Sequence, residues 1–320
     1  MSSYRVTIKE DIPRRISMLN DGREMILLWI RSRPACYRRE DVIEVQSEAD
    51  APQLQAECDT LAQIYESCHS NSFFSLPRPL AYNDPRDSHS FRRLAQSPSR
   101  PVRTGLTRRP CPLRMVALGS FAAFERPAFA MERIHSLPTE VSARIREQFY
   151  PAGAPAKGPS LLRLFFGSDF ANSNVTGTFL DVTRYRQLAS SEEGIADGLP
   201  GAEIVAEAMG HILGRIQVLG RYDGRGIKFV LGGNGYSGFE FYVIDFHQER
   251  GWDCTVETVG QLVDAYRSIK MYLPFPRRGD RIYETFRCGY CAAYSDHPGI
   301  ADEFLDGIEA LQPVSSWYPV

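Results

Sequence analysis

Apolar residues recur along this chain in two rhythms, and the change between them divides it. In the first part, residues 4–8, 25–30 and 42–45 are short runs rich in β-branched and aromatic side chains, with Asn20-Asp21-Gly22 as a turn signal, so the pattern predicts an N-terminal sheet. Leu54, Cys58, Leu61, Ile64 and Tyr65 then repeat at spacings of three and four, the period of one helix face. Glu48, Asp50 and Glu57 load the early part of that helix with acid, which complements the positive end of its dipole. Pro77 and Pro79 punctuate an extended stretch over 76–82, residues 129–134 predict a further strand, and His135-Ser136-Leu137-Pro138 reads as a connector.

Beyond the connector the helical period dominates. A short helix is predicted over 141–149, a Pro/Ala/Gly linker over 151–159 and an apolar run over 161–166. The strongest helix runs from Pro200 to Leu219, where Ile204, Val205, Ala208, Ile212, Ile216 and Leu219 form one stripe and the proline suits the first turn. Gly220 ends it and delivers Arg221-Tyr222-Asp223. Two apolar runs follow, 227–231 and 239–244, joined by Gly232-Gly233-Asn234-Gly235, residues that tolerate positive φ; the pattern predicts a β-hairpin. A helix over 256–269 with Thr255 as its cap, a stop at Pro274 and Pro276, and a last helix over 300–311 complete the reading.

Composition narrows the class. The 320 residues are 43% hydrophobic, enough for one large domain or two lobes sharing a cleft. A formal charge of -2 makes nucleic acid an unlikely partner, and with no apolar run of spanning length and no leader pattern the expected setting is cytoplasmic, away from membranes. Seven scattered cysteines fit reduced thiols. Cys288 and Cys291, with His297 and Cys254, have ligand chemistry for zinc, but without a second closely spaced pair ordinary thiols are the simpler reading. Residues 83–114 stand apart, rich in Arg, Ser and Pro, and are expected to form a flexible insertion.

The candidate chemistry sits around the hairpin. Asp223 precedes its first strand and Asp245 closes its second, so a helix, a carboxylate loop and a hairpin follow in order. That order can deliver one aspartate to accept a substrate proton and a second to hold magnesium on nucleotide phosphates. An aspartate that only caps the next turn is the alternative for Asp245. His247, two residues on, is a local hydrogen-bonding residue or a base near the same cleft.

Ala35 to Asp41, Met131-Glu132-Arg133-Ile134-His135-Ser136-Leu137-Pro138, Asp223 to Gly232, Val243-Ile244-Asp245-Phe246 and Val263 to Tyr266 with Pro274-Phe275-Pro276, taken in order, resemble the fungal domain-of-unknown-function 3669 family, itself distantly similar to protein kinases and aminoglycoside phosphotransferases. The resemblance implies an α+β, two-lobed protein-kinase-like fold: an N-lobe over 1–137 with an antiparallel sheet and a helix, and a mostly helical C-lobe over 138–320 with the hairpin at the cleft. It implies a fungal origin in the setting of secondary metabolism but no known reaction; ATP and magnesium, or no cofactor, stay open, with a small-molecule substrate or a protein partner. Arg38 would stand at the position of the kinase lysine, Glu57 would be its helix partner or a solvated helix-face carboxylate, and the segment holding Glu132 and Ile134 would receive adenine.

The departures from that pattern matter as much. A kinase has asparagine five positions after its catalytic aspartate, as a metal ligand; here Lys228 stands there, and an ammonium cannot ligate magnesium. Lys228 is expected either to contact a phosphate directly or to pair with Asp223 and silence it. Arg38 keeps a charge but not the geometry of lysine, and no glycine-rich loop precedes it. Three functions stay open: a phosphotransferase using Asp223, Asp245 and Lys228; an inactive kinase-like binding or scaffold protein; and a fold recruited for other chemistry on a metabolite.

Overall fold

The structure is a computed structural model, and it describes residues 24–28, 41–45, 51–87, 92–93, 127–132, 134–150, 159, 161–168, 179–192, 194, 198–234 and 238–311. The expected strand over 4–8, Arg38, most of the arginine-rich insertion and nearly all of the 151–159 linker lie outside the described residues. The fold is mixed α+β, built on two sheets.

The first sheet comprises β1 (Glu24–Leu28), β2 (Asp41–Val45), β3 (Pro79–Asn83), β4 (Arg92–Arg93) and β5 (Ala128–Glu132), and its spatial order is β1-β2-β5-β3-β4. All its pairings are antiparallel. Its centre is non-local: β5 inserts between β2 and β3, with Ile43 opposite Ala130 and Tyr82 opposite Phe129. Helix α1 (Ala51–Cys68) packs on β3 and β5, and its expected stripe of Leu54, Cys58, Leu61, Ile64 and Tyr65 is buried there.

The second sheet has the order β7-β6-β8-β9, from β6 (Leu162–Leu164), β7 (Phe179–Leu180), β8 (Lys228–Gly233) and β9 (Phe239–Ile244). Two crossings tie it to the first part. The Gly233 N–H donates to the His135 carbonyl at 2.8 Å, while the Ser75 N–H donates to Phe241 O at 2.8 Å and the Val243 N–H to Ser75 O at 3.0 Å. The hairpin glycines therefore serve a different end from the one expected. Gly232 and Gly233 belong to β8 and lack the positive φ of a turn; a Cβ on Gly233 would sit 2.1 Å from Ser136 O, and one on Gly232 would sit 2.6 Å from Ile134 Cγ2. Glycine stands there because the connector lies directly on the strand.

The remaining core is helical. α2 (Thr139–Phe149) follows the connector, and α3 (Val182–Ala189) is capped by Asp181, whose Oδ1 accepts from the Arg184 N–H at 2.8 Å. α4 (Ala202–Val218) packs tightly against α6 (Arg281–Ala293), since a Cβ on Gly289 would lie 1.9 Å from Glu207 O and one on Gly210 would lie 2.1 Å from Phe286 O. α5 (Val259–Ile269) starts after a 3₁₀ turn at Val256–Thr258, three residues later than expected, and Thr255 provides no side-chain cap to that turn. α7 (Pro298–Ala310) closes the described chain. On α4 the expected stripe is corrected at both ends: Ile204 is 53% and Leu219 50% exposed, while Met209, Leu213 and Gln217 turn inward. The helix has neighbours on more than one side, so its buried face is wider than a single stripe. α6 was not expected, although Ile282, Tyr283, Phe286 and Tyr290 carry its period and are buried, and Asp280 accepts from the Ile282 and Tyr283 N–H groups at 2.9 and 3.2 Å. No helix among the described residues is long and apolar enough to cross a membrane.

Candidate functional site

The register of β8 against β9 places Lys228 opposite Ile244, so the residue after β9, Asp245, emerges beside the lysine. Lys228 Nζ donates to Asp245 Oδ2, and His247 Nδ1 donates to Asp245 Oδ1. Burial by itself pushes the Asp245 carboxyl up, but the hydrogen bonds from His247 and Lys228 and their charges outweigh it and hold the group below its ordinary value. Asp245 also adopts a φ of 74°, a left-handed conformation costing about 1 kcal/mol for a residue with a side chain. The cluster reaches solvent on the lysine side: the Lys228 side chain is 31% exposed, against 16% for Asp245. Gln248 Nε2 lies 3.0 Å from His247 Nε2, so the tautomer with hydrogen on Nδ1 lets His247 donate to Asp245 and accept from Gln248.

Asp223 is held very differently. It has no accessible surface. Its Oδ1 accepts from the backbone N–H groups of Arg225 at 3.1 Å and Arg250 at 3.4 Å, and its Oδ2 accepts from Gln261 Nε2 at 3.1 Å with Arg225 Nε 3.5 Å away. Its main chain is tied as well: the N–H donates to Arg250 O at 2.9 Å, and the carbonyl accepts from Gln217 Nε2 at 3.3 Å. Gln217 Oε1 in turn accepts from the Tyr290 and Tyr294 hydroxyls at 2.6 and 3.2 Å, so α6 anchors the loop through a buried polar chain. The sharp path needed to wrap this carboxylate uses left-handed residues at Arg221 (φ 62°), Gly224 (φ 79°) and Gly226 (φ 78°).

Asp223, expected beside the substrate, exposes no surface in this arrangement. Lys228 turns to Asp245, so the expected alternative in which it silences Asp223 is replaced by a pair at the other carboxylate. Glu249 had no signal in the sequence. Its Oε2 accepts from the Gly224 N–H at 2.8 Å and its buried Oε1 has no hydrogen-bond partner; burial, then the charge of Asp223, raises its carboxyl well above the ordinary value. Gln217, Gln261 and Arg225 were likewise unmarked, because each matters only through a partner remote in sequence or through a turn.

The remaining expected residues are dispersed. Arg38 lies outside the described residues, so its pairing with Glu57 on α1, a half-buried residue, has no description. Glu132 ends β5 and its N–H donates to Arg78 O at 2.8 Å, and Ile134 follows at the point where the connector meets Gly232. Opposite them the Tyr242 hydroxyl donates to Glu240 Oε2 at 3.1 Å, and burial together with the Glu240 and Glu132 charges raises its pKa. Cys288 and Cys291 lie on α6, and among the described residues no group of three or more His, Cys, Asp or Glu is placed to hold a metal ion. At Asp245 each carboxylate oxygen accepts from one nitrogen donor, Lys228 on Oδ2 and His247 on Oδ1.

Comparison with known proteins returns no match: no family model, no curated protein and no solved structure is significantly similar to this chain.

Proposed function

We propose that this chain is a two-lobed, kinase-like protein that works as a binding module and does not transfer phosphoryl groups. The support for the fold is the order of its parts: an antiparallel sheet with one helix, a connector at 134–138, then helices around a hairpin that carries a carboxylate at each end. The observation that carries the functional reading is the enclosure of Asp223, which leaves the cleft without the proton acceptor that phosphoryl transfer places on its substrate hydroxyl. Its ligand is a small molecule or a protein partner received between the two sheets.

The test is a phosphoryl-transfer assay on purified protein with ATP and magnesium against a panel of hydroxylated metabolites, beside an Asp245→Ala variant. The expected result is the same background ADP release from both. ADP release coupled to a phosphorylated product, and lost in Asp245→Ala, would restore the ATP-dependent small-molecule phosphotransferase. That second reading has one observation in its favour: the Asp245 carboxylate is held ionised at a strand end that solvent reaches.

A further inference from the structure

We infer that the Lys228 ammonium is a built-in substitute for a divalent cation at Asp245, so that this cleft takes its ligand without metal. The inference rests on the kinase-like reading only in naming which ion is replaced. Its geometry stands by itself. Lys228 is the first residue of β8, it is paired across the hairpin with Ile244, and its side chain therefore runs alongside the residue that follows β9. Nζ meets Oδ2 while His247 covers Oδ1, so the carboxylate has a nitrogen donor on each oxygen.

A divalent ion at Asp245 would have to share the carboxylate with the positive charge of Lys228, which already occupies Oδ2. Asp223 commits both its oxygens to Arg225, Arg250 and Gln261, and Glu249 gives Oε2 to the Gly224 N–H beside Asp223. Neither of these two carboxylates therefore joins Asp245. Asp245 takes a left-handed backbone (φ 74°) at the point where its carboxylate meets both donors.

The masking is what an experiment can read. Mn²⁺ binding to the full chain, followed by the loss of its free electron paramagnetic resonance signal, is expected to be weak in the wild type. It should be at least about tenfold tighter in Lys228→Asn, where an amide oxygen replaces the ammonium. The gain should vanish in the double variant Lys228→Asn with Asp245→Asn. Equal Mn²⁺ affinity in wild type and Lys228→Asn, or a gain that survives loss of Asp245, overturns the inference. Should Lys228→Asn fail to fold, the wild type supplies its own readout. Acetylation of Lys228 by acetic anhydride is expected to be about fivefold slower than that of exposed Lys270, and unchanged by millimolar Mg²⁺. Acceleration by Mg²⁺ would mean that the ion displaces the ammonium, and the inference falls. Phosphoryl transfer by the wild type would overturn the binding-module function, whereas Mn²⁺ affinity and Lys228 protection decide this inference alone.

Discussion

Asp223 and Asp245 bracket one hairpin, yet the fold treats them as opposites. Asp223 is sealed among backbone N–H groups and the Gln261 amide, on a loop fastened to α6 through Gln217, Tyr290 and Tyr294. Asp245 faces two titratable side chains and keeps part of its surface in solvent. The difference teaches that a carboxylate's partners decide its role. Enclosure by backbone donors, an amide and a guanidinium makes it a structural anchor, whereas partly exposed charged partners leave it a face toward solvent.

The sharpest way to break the comparison is Asp223→Ala. Removing a buried carboxylate strands the Gln261 amide, two backbone donors and the Arg225 guanidinium, so urea unfolding should show a loss of about 3 kcal/mol or more. A loss no larger than that of Asp245→Ala would show that the two carboxylates are alike after all. Glu249→Gln should act in the opposite direction. The folded state holds the Glu249 proton more tightly than the unfolded chain does, so wild-type stability falls as pH rises above the ordinary carboxylate range toward the raised folded value. The amide keeps an acceptor for the Gly224 N–H and removes that slope, giving a gain on the order of 1 kcal/mol at neutral pH by thermal unfolding. A variant that retains the wild-type slope would assign the slope to another group.

Asp245→Asn should be the mildest of the three, a loss of about 0.5 to 1 kcal/mol at neutral pH, because the lysine of the pair is partly solvated. Its sign with pH is the reverse of that at Glu249. The Asp245 carboxyl is held below its ordinary value, so its contribution is present above the unfolded value and disappears as pH falls through the folded one. Stability curves of wild type and variant should converge in acid and separate toward neutrality; a constant gap across that range would mean that charge plays no part.

Much of the framework is legible from residue pattern. The α1 stripe, the apolar β8 and β9 runs, the strand before the connector and the last described helix all carry patterns that local burial enforces. The misreadings cluster where packing partners are remote. α6 carries a clear apolar period, but its most informative residue, Gly289, reads as a spacer in a cysteine pair until Glu207 of α4 is seen against it. Gly232 and Gly233 read as turn glycines until the connector is laid over them. The site divides the same way. Asp223, Asp245 and Lys228 stand out by spacing, while Glu249, Gln217 and Gln261 do not, since an amide or a carboxylate in a loop becomes significant only through what it faces.

The amino-acid order by itself determined that two carboxylates and a lysine would lie close to one hairpin, because strand period and turn composition act over a few residues. Only the tertiary structure decided which carboxylate the lysine would meet. That choice follows from the β8 and β9 register, which brings Lys228 beside Asp245, and from the burial of the Asp223 loop against α4, α5 and α6, where backbone donors, an amide and the Arg225 guanidinium surround the carboxylate.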